Sequence, residues 1–104
     1  MDTLTASREY LAARKNLQAA MQHGCRHCNR AAERLLEEFK ELSLAAKKQM
    51  DEGLIPTESF VAVLAAMTSN LLKFAEVIGN QHGVEFLFLG PDDQMINVQT
   101  IGLA

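Results

Sequence analysis

The chain is short of several things, and each shortage narrows what it can be. It has only two prolines, and it shows no internal repeat and no low-complexity tract. Neither a disordered chain nor a repeat array is expected from that composition. No apolar run reads as long enough to span a bilayer, and the N-terminus lacks a signal-peptide pattern, so the expected compartment is the cytoplasm. Two cysteines are too few for a disulfide scaffold, and in that compartment both are expected to be reduced. Six aromatics in all, mostly on apolar stripes, leave little for stacking on nucleotide bases.

Catalytic patterns are equally scarce. There is no glycine-rich phosphate loop. Ser7, Ser43, Ser59 and Ser69 lie in helical segments without the glycines of a nucleophile turn. Glu37, Glu38 and Glu41 read as an ordinary exposed face, not as a paired acid and base. Asp92 and Asp93 sit in a turn, where Asp serves local hydrogen bonding. The expectation is a protein that is not an enzyme.

What is present is helix. The 104 residues are 48% hydrophobic and 22% charged, enough for one small domain. Residues 5–22 are rich in Ala, Leu, Arg and Gln, all strong helix formers, with Tyr10, Ala13, Leu17 and Ala20 or Met21 on one stripe. Residues 28–51 repeat apolar positions at Cys28, Ala32, Leu35, Phe39, Leu42 and Ala46, alternately four and three apart, and Gly53 ends that helix. Pro56 stops any helix passing through it, and Thr57 reads as the cap of a third helix. That helix, residues 57–78, carries Phe60, Leu64, Met67, Leu71, Phe74 and Ile78 as a heptad-like seam. A helix so apolar belongs either at the centre of a fold or inside an oligomer.

The period changes after "GNQHG". Residues 84–89 and 95–101 are β-prone runs around Gly90, Pro91, Asp92 and Asp93, which signals a hairpin. One ambiguity concerns the first two helices. Gly24 alone separates them, and one glycine costs a helix about 1 kcal/mol. A break near Gly24 is the preferred reading, with one long helix over 5–52 as its rival. The expected fold is therefore mainly α: an antiparallel helical hairpin or three-helix bundle with a C-terminal β-hairpin, dimeric because its apolar stripes exceed what one chain covers.

Charge is uneven. Residues 1–50 hold nine of the ten Lys and Arg against six Asp and Glu, while residues 51–104 hold one Lys against seven acids. The overall balance of −3 argues against nucleic acid. Arg26, Arg30 and Arg34 nevertheless recur every four residues as a basic face, which fits an acidic protein surface or a phosphate backbone. The plainer reading is a solvated face offset by Glu33, Glu37 and Glu38.

"HGCRHCNR" gathers four of the five Cys and His residues into positions 23–28. If the third helix returns antiparallel to the second, residue i faces roughly residue 110 − i, and His82 comes near Cys28. Zinc accepts such a mixture of sulfur and nitrogen, with Cys25, Cys28 and His82 as ligands and His23 or His27 as the fourth. A C-x-x-C pair can also act in thiol redox chemistry. The simplest reading is a polar turn with Cys28 packed as a small hydrophobe, so no cofactor is expected and zinc stands as the alternative.

The functional expectation is a small protein–protein interaction module, a regulator, adaptor or inhibitor, acting as a homodimer. Its contact surface is placed on the first helix. Tyr10, Leu11, Leu17 and Met21 are the apolar anchors and Arg14 and Lys15 the rim, an arrangement suited to a helix lying in a groove. The rival is a zinc-stapled helical module that contacts nucleic acid through the basic face. A membrane partner is not expected.

Overall fold

The computed structural model describes residues 2–82 and the segments 87–89 and 95–97; of His82 and the two segments it describes the backbone alone. Three helices make the fold: α1 over Thr3–Met21, α2 over Arg26–Asp51 and α3 over Thr57–His82. Leu87–Leu89 and Met95–Asn97 are extended and lie antiparallel, with Phe88 opposite Ile96. The rest of the hairpin expected over 84–101, including its turn at Gly90–Asp93, lies outside the described residues.

Local chemistry sets the helix ends. The Asp2 carboxylate accepts the Thr5 N–H at 2.7 Å, so α1 starts two residues earlier than its apolar pattern indicates. A capping carboxylate supplies an acceptor to a backbone N–H left without a helical partner. That bond holds the Asp2 carboxyl below its ordinary value. The last turn of α1 tightens, with His23 N–H donating to Ala20 O at 3.0 Å and Gly24 N–H to Met21 O at 3.3 Å. The chain therefore breaks at Gln22–Cys25, and the rival reading of one helix through Gly24 does not hold.

Gly24 is there because space is short. A Cβ at this position would lie 2.7 Å from Asn29 Oδ1 and 3.3 Å from Ile78 Cγ2. The turn thus presses directly on the buried Ile78 of α3. At its other end α2 closes in a Schellman motif. Gly53 N–H donates to Met50 O at 3.0 Å and Leu54 N–H to Gln49 O at 2.8 Å. Gly53 takes φ 76°, the left-handed conformation that favours glycine.

Two expected ends of α3 need correction. Thr57 is the first helical residue and not the cap; the Pro56 carbonyl accepts the N–H groups of Ser59 and Phe60. The helix does not stop at Ile78 either. Gly79 is buried and stays helical; a glycine costs a helix only about 1 kcal/mol, and Gln81 beyond it accepts a hydrogen bond from Cys28.

Tight turns at residues 22–25 and 52–56 make two antiparallel helical hairpins, so α1 and α3 run the same way with α2 reversed. The core lies mainly between α1 and α3. Ala6, Tyr10, Ala13, Leu17 and Ala20 of α1 meet Phe60, Leu64, Met67, Leu71, Ala75 and Ile78 of α3 in one cluster. The α1 stripe is built largely of alanine, and small side chains let helix axes approach closely. Helix α2 adds only Ala32, Leu36 and Ala46 as buried residues; Leu35, Phe39 and Met50 are partly buried against the cluster.

Candidate functional site

The start of α2 is where unusual chemistry collects. Cys25 is the N-cap, in extended backbone, and its sulfur accepts the Cys28 N–H at 3.4 Å. The two sulfurs are 3.3 Å apart. Cys28 also donates to Gln81 Oε1 on α3, at 3.1 Å. Cys25 is exposed and Cys28 half-buried, and no disulfide joins them. The hydrogen bond with Cys25, and then partial removal from water, raise the Cys28 thiol above its ordinary value.

Cys28 and Gln81 meet the expected register, residue i opposite about residue 110 − i, to within one position. Sequence spacing therefore placed the right stretch of α3 beside Cys28. It favoured His82, whereas Gln81 is the residue whose side chain reaches the sulfur; the His82 side chain lies outside the described residues. His23 and His27 are both exposed. Among the described residues, no three Cys, His, Asp or Glu side chains converge as a metal ion requires. Of the five proposed zinc ligands, the structure brings together Cys25 and Cys28.

The proposed contact residues of α1 divide into two groups. Tyr10 and Leu17 belong to the chain's own core, Leu17 with 0% exposure. Neither offers an anchor to a partner without unfolding the bundle, which corrects the assignment made from helical spacing. Met21 is half-buried against the same core. Leu11 is 56% exposed, and Lys15 is exposed.

Arg14 is not a rim residue. Its Nη1 donates to Tyr10 Oη at 3.1 Å and to the Leu36 carbonyl at 2.9 Å. Its guanidinium also lies 5.7 Å from the centre of the Tyr10 ring, within cation–π range. Arg14 thus ties α1 to α2.

Arg26, Arg30 and Arg34 are exposed on α2. Arg26 and Arg30 line an open hollow with Asn29 and Glu33. The acidic Glu33 thus lies beside two of the three arginines.

Thr57–Gln81 is long and apolar enough, by length and composition, to cross a membrane. Polar residues such as Thr68, Ser69 and Asn70 interrupt its apolar runs, so reading run by run misses a property that belongs to the whole helix. Compared with known protein families, curated proteins and solved structures, the chain matches none.

Proposed function

We propose that the chain is a small non-enzymatic protein–protein interaction module, a regulator, adaptor or inhibitor, that works as a homodimer in the cytoplasm. The hairpin over 84–101 is part of this reading, lying against the helices or adding its edge to a strand of another copy. The observation that carries the reading is the incomplete cover of α3: only 28% of its most apolar window is buried within the chain. One side of α3 is only partly covered: Ala66, Asn70 and Val77 are exposed, and Val63 and Phe74, half-buried against the chain's own core, lie three or four residues from them. Such spacing makes a seam for another helix.

A bilayer is the competing cover for the same helix. Lys73 and Glu76, both exposed on α3, favour protein, because charged side chains inside a bilayer are costly. The zinc-stapled reading with a nucleic-acid face has less support, since among the described residues Cys25 and Cys28 alone of its ligands converge.

Sedimentation equilibrium on the full chain tests the reading. A dimer that Val77→Asp converts to a folded monomer is the expected result. A wild-type monomer up to about 100 μM, ample for a dimer of micromolar Kd, overturns the homodimer. Flotation with phosphatidylcholine vesicles would transfer α3 to the bilayer reading instead.

A further inference from the structure

We infer that Cys25 and Cys28 form a thiol–disulfide exchange site, with Cys25 as the attacking sulfur, Cys28 as the resolving sulfur and a small-molecule disulfide as the oxidant. Three features carry this. The sulfurs are already 3.3 Å apart, and a disulfide needs about 2.05 Å. Closing that gap takes small side-chain rotations at the start of a helix, with no movement of one helix against another. Access is unequal, since Cys25 is exposed and Cys28 half-buried. An incoming disulfide therefore meets Cys25 first. Thirdly, the Cys28 N–H points at the Cys25 sulfur at 3.4 Å, a donor that steadies negative charge there at the N-terminal end of a helix.

The steps balance. Cys25 gives its proton to water, and its thiolate attacks one sulfur of R–S–S–R, forming Cys25–S–S–R and releasing R–S⁻, which takes up a proton from water. Cys28 gives its proton to water, and its thiolate attacks the Cys25 sulfur. The Cys25–Cys28 disulfide forms and the second R–S⁻ leaves. Two cysteine thiols are oxidised by two electrons, and the small disulfide is reduced to two thiols.

Oxidation also has a necessary structural effect. A disulfide sulfur has no S–H, so the bond from Cys28 to Gln81 is lost. The site thereby links the redox state of the α2 start to the C-terminal end of α3.

The test uses the full chain with glutathione disulfide, read by intact-mass spectrometry under native and urea-unfolded conditions. The wild type is expected to lose two hydrogen masses with little mixed disulfide accumulating, and a dithiol reductant is expected to reverse this. Ring closure in the folded chain should exceed that in urea by about tenfold or more, because the sulfurs are held in contact. Cys28→Ser should trap one glutathione on Cys25, and Cys25→Ser should react about tenfold more slowly. Circular dichroism confirms that both variants are folded. Equal rates for the two variants, stable mixed disulfides on both wild-type cysteines, or closure no faster folded than unfolded would each overturn the site.

Discussion

Arg14 reaches from α1 to the backbone carbonyl of Leu36 on α2, 2.9 Å away, while the same Nη1 donates to the Tyr10 hydroxyl at 3.1 Å. A mid-helix carbonyl has a second lone pair free for such a donor. The contact explains how α2 is held to a helix it otherwise touches little.

Removing that tie should loosen α2. Arg14→Met keeps the length of the stem and deletes the donors, and is expected to cost about 1.5–3 kcal/mol, the range for hydrogen bonds involving charged groups. Arg14→Lys should recover only part, because an ammonium lacks the planar fork. Urea unfolding of the three proteins checks this; equal midpoints would show that the tie contributes nothing.

Leu11 and Leu17 should separate surface from core on α1. Leu17 is fully buried and Leu11 is 56% exposed. Leu17→Ala is expected to cost about 2–5 kcal/mol, and Leu17→Asp to unfold the chain. Leu11→Asp should change stability by no more than about 0.5 kcal/mol, which leaves it usable for probing partner binding. Thermal melts followed by circular dichroism decide both, and a stable Leu17→Asp would contradict the packing.

The turn between α1 and α2 should resist a methyl group. Gly24→Ala places a Cβ 3.3 Å from Ile78 Cγ2 and 2.7 Å from Asn29 Oδ1. Asn29 Oδ1 is held by no hydrogen bond but is buried, and Ile78 is fully enclosed. A cost of about 1–3 kcal/mol is expected, as for other overpacked sites. Combining it with Asn29→Ala should recover only the Asn29 share. Full recovery in the double variant would mean that Ile78 yields freely.

Acid should weaken the start of α1 through Asp2. Its folded carboxyl lies below the ordinary value of 3.8, chiefly because it accepts the Thr5 N–H. A lowered carboxyl binds its proton more weakly when folded, so its contribution is fully present above the unfolded value. It is lost as pH falls through the folded one. Asp2→Asn keeps a capping oxygen without a titrating proton. Melting temperatures from pH 6 to 2 should therefore fall more steeply for the wild type than for Asp2→Asn below about pH 4. Parallel curves would remove Asp2 from the acid response.

Much of the helical layout was legible because its causes are local. Alternating three- and four-residue spacing marked α2 and α3, Gly53 and Pro56 marked the turn between them, and the antiparallel register followed from helix rise. The ends were less legible. Asp2 and Cys25 act as caps through hydrogen bonds to single N–H groups, and neither adds to an apolar period. Gly79 reads as a stop, yet it is buried and the helix runs through it to His82.

By itself, the sequence determined that the chain is helical to about residue 78, that it turns at Gly53–Pro56 and which side of each helical stretch is apolar, because helical periodicity depends only on neighbours along the chain; the break at Gly24 it left open. The tertiary structure decided what those sides meet. Tyr10 and Leu17 make the same stripe whether it faces this chain or another, and only the approach of α3 turned it inward. Arg14 reads as a rim charge until Leu36 comes within 2.9 Å. Cys28 gains its contact with Gln81 from a helix that begins 29 residues later. A stripe or a charge is fixed by local chemistry, but its partner is fixed by which distant surfaces bury the most apolar area together.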